Sequence, residues 1–165
     1  MQNQKTYKLV LHYIFMDYHK FFGRKVDIVA KDLLGRSILR ITNKGNTAAK
    51  IIETGAYEEG ETPSREGMKY APGTIFLMPY RSTYLFNIAT DKRGYPSCVE
   101  IREIALHDKI ISGSGKVSKF FDIGPDLDGI VLGEEIKIIG ENVDKSKIKK
   151  IKGKSDNCIG YFLIK

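Results

Sequence analysis

The sequence predicts an α+β domain: a curved, mostly antiparallel sheet, partly open as a roll or barrel, with helices packed outside it. Three observations point there. Short runs rich in β-branched and aromatic residues (Ser37–Ile41, Ala48–Tyr57, Thr74–Met78, Tyr84–Ala89 and Val99–Leu106) succeed one another across turn residues, the spacing of antiparallel strands. Helical signals are few and flank that run, at Asp27–Gly35 and Lys116–Phe121. No repeat, linker or low-complexity stretch divides the 165 residues, so residues 1–165 are expected to form one domain with 1–20 as an N-terminal extension.

Taken in order, residues 1–26 alternate aromatic and basic groups (Tyr7, Lys8, His12, Tyr13, Phe15, Tyr18, His19, Lys20, Phe21, Phe22). A helix docking its aromatic face on the core fits this pattern, and a tail that stacks on bases is the alternative. Asp27 reads as the cap of a helix with Ile28, Val29, Leu33 and Leu34 at helical spacing and Gly35 at its end. A turn over Asn43–Asn46, containing Gly45, joins the next two strands into a hairpin. Glu58–Ala71, punctuated by Gly60, Pro63 and Gly67, reads as a polar loop. The pair Thr74–Met78 and Tyr84–Ala89 encloses a Pro79-Tyr80-Arg81 tip, and two or three closing strands from Val131 end in Tyr161–Ile164. The Lys145–Lys154 run interleaves six lysines with Ile148 and Ile151 and reads as an edge strand with one wet basic face.

Composition narrows the function. Lys and Arg number 27 against 20 Asp and Glu, a net charge of +7 whose field favours polyanions. A membrane role is not expected: Leu9–Phe15 is interrupted by His12, is too short to span a bilayer and is followed by no small-residue cleavage site. Cys98 and Cys158 lie near no His or Cys at ligand spacing, so both read as buried thiols, and neither a metal nor another cofactor is expected.

Several motifs occur in a telling order: Asp27-Ile-Val-Ala-Lys-Asp-Leu-Leu-Gly35, Ile51-Ile-Glu-Thr-Gly-Ala-Tyr57, Gly67-Met68 before Pro72-Gly-Thr74, Asn87-Ile88, Val99-Glu-Ile-Arg102 and Ser112-Gly-Ser-Gly-Lys116. Each is common, but their succession from about Phe21 to Lys165 resembles the alkyladenine (3-methyladenine) DNA glycosylases, in a shortened and divergent form. The resemblance implies a monofunctional enzyme acting as a monomer on double-stranded DNA that contains alkylated or deaminated purines, in the cytoplasm or nucleus. It would flip the base out and hydrolyse its N-glycosidic bond without a metal. By the same resemblance Tyr80 is the wedge that enters the vacated stack, Arg81 and Lys116 hold phosphates, Tyr57 stacks on the base, Asn87 screens its exocyclic group, and Arg102 positions water and backbone. Read without the resemblance, Tyr57 is a strand-end core tyrosine, Asn87 a strand cap, and Arg102 the partner of a glutamate, although Glu100 and Glu103 are expected on the other strand face.

The chain departs from that pattern where the chemistry lies. Glu-Thr-Glu-Ala-Tyr is replaced by Glu53-Thr54-Gly55-Ala56-Tyr57, so glycine stands where the family carries the general base that activates water. The following loop is shorter and lacks the family's pocket histidine, and the second stacking tyrosine falls near Met78. Glu53 shares a strand face with Gly55 at roughly 6.6 Å of rise and is the first substitute base; Glu58, Glu59 and Glu61 are others. An N-alkylated purine leaves as a neutral base, so losing one base residue costs about a hundredfold to ten-thousandfold and not all activity. Two alternatives stand beside the enzyme: a catalytically impaired DNA-binding descendant, and, ignoring the resemblance, a basic β-rich module for single-stranded nucleic acid.

Overall fold

Two short amphipathic helices lead into the sheet. The computed structural model describes residues 16–60, 62–152 and 157–164, so the tail before Met16 with His12, together with Glu61 and Lys154, lies outside the described residues. Helix α1 (Tyr18–Phe22) is capped by Asp17, whose carboxylate accepts from the Lys20 backbone N–H at 2.9 Å. Phe22 is fully buried, with Tyr18 and Phe21 packed against the core, so the described part of the aromatic run docks. Helix α2 spans Val26–Leu33 and buries Val26, Val29, Ala30 and Leu33. Asp27 is not its cap: Lys25 holds that position, while Asp27 sits in the first turn and faces Lys31 at 3.6 Å, where the helix dipole favours an acid. Ile28 is exposed, outside the apolar stripe.

Nine strands form one sheet among the described residues: β1 (Ser37–Thr42), β2 (Gly45–Glu58), β3 (Ile75–Tyr80), β4 (Thr83–Ala89), β5 (Ser97–Ala105), β6 (Ile110–Ser112), β7 (Ile136–Ile139), β8 (Ile148–Lys152) and β9 (Cys158–Leu163). The main path runs β3-β4-β5-β2-β1-β7, β6 pairs with β5, and β9 joins β2 to β8. Every strand pairing is antiparallel. The long β2 makes this possible, its first half bonding β1 and its second half β9.

Alternation along the strands gives the sheet two characters. One face carries Ile51, Phe86, Ile88, Val99, Ile101 and Ile104 into the main core. Helix α2 lies on it, held where Thr54 Oγ1 donates to the Ala30 carbonyl at 2.9 Å. A later helix, α4 (Ser114–Phe120), covers β4, where Ser114 Oγ accepts from the Phe86 backbone N–H at 2.8 Å. The other face is smaller: Phe76, Ala89 and Cys98 form a second cluster against which Tyr57, Tyr70 and Met78 pack.

The stretch expected as a plain loop contains helix α3 (Thr62–Gly67). Its second residue is Pro63, whose fixed φ suits a first turn. Gly67 lets it approach β5, since a methyl group there would stand 2.9 Å from the Ser97 carbonyl oxygen. The basic run also differs from a simple strand: Lys145–Lys147 is a 3-10 turn, and in β8 both Lys149 and Lys150 are exposed, while Ile148 packs against the main core.

Candidate active site

The β3–β4 hairpin and strands β5, β2 and β9 bring the site together on the smaller face. Their registers place Phe76, Asn87, Glu100, Gly55, Gly160 and Ile151 in one row across the sheet. The neighbouring rung sets Cys98, Tyr57 and Cys158 side by side. Cross-strand partners project to the same side, so these rows define a single surface.

Arg102 is its centre. The guanidinium donates from Nε to Glu100 Oε1 at 2.9 Å, and from Nη2 to the Tyr57 hydroxyl at 2.8 Å and to Cys158 Sγ at 3.2 Å. Nη1 faces Glu53 Oε1 at 3.8 Å. Two glycines make room for it: a methyl on Gly55 would lie 2.6 Å from Arg102 Cζ and Nε, and one on Gly160 would lie 3.1 Å from Nη1. The place where the family pattern has a glutamate side chain is therefore filled from the next strand by an arginine.

This corrects the expected orientation of Glu100. It does not point away from Arg102; residues two apart on a strand share a face, and the Val99-Glu-Ile-Arg102 spacing already carried that signal. The site members that sequence reasoning missed are Glu100, Gly160 and Cys158. The last two come from the chain's C-terminal strand, and no local motif ties them to Arg102.

Electrostatics follow from burial. Glu100 is 7% exposed, and burial raises its carboxyl above the ordinary range, with Arg102 pulling it partly back. Glu53 is likewise raised by burial against the pull of Arg102. The Tyr57 phenol is pushed up by burial and then by the Glu100 charge, so it stays protonated. Burial would lower the guanidinium of Arg102, but Tyr57 and Glu100 outweigh it and hold it above its usual value.

The remaining expected residues divide between face and rim. Met78 and Tyr70 both pack against the cluster of Phe76, Ala89 and Cys98, and the Tyr70 ring stacks on Phe76 at 5.4 Å and 14°. Asn87 is fully buried; its Nδ2 donates to the Leu85 carbonyl at 3.3 Å, and its Oδ1 has no hydrogen-bond partner among the described residues. Tyr80 ends β3 on the same face as Met78 and is 49% exposed. The tip itself is the two-residue turn Arg81-Ser82, shorter than expected, with Arg81 at a φ of +53° and its guanidinium 5.4 Å from the Tyr80 ring centre. Lys116 is exposed on α4, and α4 is tied to the hairpin where Thr83 Oγ1 donates to the Gly115 carbonyl at 2.9 Å. Tyr80, Arg81 and Lys116 thus share one rim.

Residues 20–154 match the family model described as Methylpurine-DNA glycosylase (MPG). The chain belongs to the methylpurine-DNA glycosylase family. Among the relatives it resembles, each named "Putative 3-methyladenine DNA glycosylase", that of Latilactobacillus sakei subsp. sakei (strain 23K) is 34% identical over 95 residues, covering 51% of this chain and 45% of the relative. That of Borrelia garinii subsp. bavariensis is 30% identical over 122 residues, covering 62% and 66%. That of Methanocella arvoryzae is 29% identical over 136 residues, covering 66% and 68%. The chain thus spans from under half to about two thirds of the length of these methylpurine-DNA glycosylase relatives. Among its described residues no His, Cys, Asp and Glu side chains group as metal ligands, and no helix is long and apolar enough to cross a membrane.

Proposed function

We propose that this chain is a compact DNA glycosylase that turns alkylated purines of the 3-methyladenine type out of duplex DNA and hydrolyses the bond from the base to deoxyribose. The observation that carries this reading is the gathering of Tyr57, Met78, Asn87, Arg102 and two carboxylates on one sheet face, below a hairpin rim where Tyr80 is 49% exposed. About four residues of strand, roughly 13 Å, separate Tyr80 from the Asn87 row, a span that suits a wedge in the stack and a base swung into the face.

Each residue then has a task. Tyr80 fills the gap left by the base, in the manner of apolar wedges that unstack a step. Arg81 and Lys116 hold phosphates beside it and fix register. Tyr57 and Met78 contact the faces of the extruded purine, and Asn87 Oδ1, without a hydrogen-bond partner among the described residues, meets its polar edge. Arg102, fully protonated, orients the attacking water and the sugar-phosphate backbone. A carboxylate beside Arg102, Glu53 or Glu100, takes the proton of the water, the task that Gly55 cannot perform. A purine that carries a positive charge leaves as a neutral base, so the site needs no acid for the leaving group. No metal or cofactor has a task in this scheme. The protein works as a monomer wherever the DNA is, in cytoplasm or nucleus.

The test is turnover. Duplex oligonucleotides carrying 3-methyladenine or hypoxanthine are incubated with the protein and assayed for abasic sites by alkaline cleavage. Release from 3-methyladenine, with slower or no release from the neutral hypoxanthine, is the expected result. Retention of lesion duplex with no release from either would instead identify a DNA-binding descendant, and preference for single strands a single-strand module.

A further inference from the structure

We infer that Glu100 is the carboxylate that activates water, standing in across the strand for the acid absent at Gly55. This inference rests on the glycosylase reading above and names its proton acceptor. The two positions are direct cross-strand partners, Gly55 opposite Glu100 in the β2–β5 ladder, so their Cβ positions are about 4.5–5.5 Å apart on the same face. A side chain at either position borders the same Arg102 guanidinium.

The local geometry favours Glu100 over Glu53. Arg102 Nε donates to Glu100 Oε1 at 2.9 Å while the same guanidinium lies over Gly55, so the carboxylate is fixed beside the emptied position. Among the described residues the Glu100 carboxylate is engaged through Oε1, which leaves Oε2 to receive a proton. Glu53 is a rung further along β2, opposite Glu103 and Phe162, with register shifts on both sides of it. Its closest approach to Arg102 is 3.8 Å, beyond a hydrogen bond. Glu100 is also the direct partner of Asn87 on the opposite side, and so stands between the residue proposed to read the base edge and the glycine. Burial, which raises its carboxyl, makes it a better proton acceptor than a free glutamate once it is ionised.

The step balances without a further reactant. A water oxygen bonds to the sugar C1′ as the C1′–N bond breaks. The electron pair of that bond leaves with the purine, and the proton from water passes to Glu100.

The experiment compares Glu100→Gln, Glu53→Gln and the unaltered chain in single-turnover release of 3-methyladenine from duplex, across pH. The expected result is a loss of about a hundredfold to ten-thousandfold for Glu100→Gln and a clearly smaller loss for Glu53→Gln, which removes only a charge 3.8 Å from Arg102. The parent and Glu53→Gln should both show a rate that falls on the acid side as the base is protonated, and Glu100→Gln should lack that limb. Retention of an abasic-analogue duplex by Glu100→Gln shows that it is folded. The inference is overturned if Glu100→Gln keeps its rate and acid limb while Glu53→Gln loses both. If the parent itself retains lesion duplex but releases no base, the catalytic reading fails, and this inference with it.

Discussion

Glu100 and Arg102 are only two residues apart, and in the folded chain burial raises the carboxyl of the one against the partial pull of the other. A raised folded value means that its contribution to stability is full below the unfolded carboxylate range and is lost as pH rises through the folded value. As pH rises above that range, the stability of the unaltered chain should therefore fall relative to Glu100→Gln, which cannot titrate. Urea unfolding of both proteins at several pH values measures this, and a difference that stays constant or runs the other way contradicts the assigned burial effect. Gly55 shows how far such a site is readable from sequence. That glycine broke the family pattern was plain, but that the arginine two strands' worth of sequence away fills its space was not, because the contact spans 47 positions and depends on the β2–β5 register. The shared face of Glu100 and Arg102 was readable, since alternation alone gives it.

At the scale of elements, the β3–β4 hairpin holds the most direct link between strain and use. Arg81 adopts a φ of +53°, a region where a side chain is disfavoured and glycine is not. Arg81→Gly relieves roughly 1–2 kcal/mol of left-handed strain against roughly 0.5–1 kcal/mol of added glycine entropy, so it should raise stability by up to about 1 kcal/mol, read as a higher Tm, while weakening lesion-duplex binding through loss of the cation. A variant both less stable and bound as tightly would contradict the role given to that residue. The strands of this hairpin were visible in sequence because β-branched and aromatic residues crowd them. Helix α3 was not: Gly60, Pro63 and Gly67 look like loop punctuation, although a proline in a first turn and a glycine at a close approach to β5 are both compatible with a helix. The start of α2 was misplaced for a similar reason, since an aspartate is favoured in the first turn as well as at the cap.

For the whole molecule, charge and sheet geometry act together. Lys149 pairs with Phe162 on β9, which in turn pairs with Glu53, so the exposed edge strand carries a cation on the same side as Arg102. With Arg81 and Lys116 at the hairpin rim, cations flank the proposed base site on two sides, consistent with the excess of 27 basic over 20 acidic residues. Affinity for duplex should fall linearly in log–log terms with salt, and Lys116→Ala or Lys149→Ala should each reduce the slope by about one. Filter binding over a salt series measures this, and a flat response contradicts a phosphate-tracking surface. The proposed glycosylase activity depends on the base leaving the stack as Tyr80 enters it. The most direct measurement places 2-aminopurine, whose fluorescence rises on unstacking, beside the lesion in duplex and mixes it with the protein by stopped flow. A fluorescence rise with the unaltered chain that is lost in Tyr80→Ala is the predicted result; the same rise in both proteins, or none in either while the duplex is bound, would contradict it.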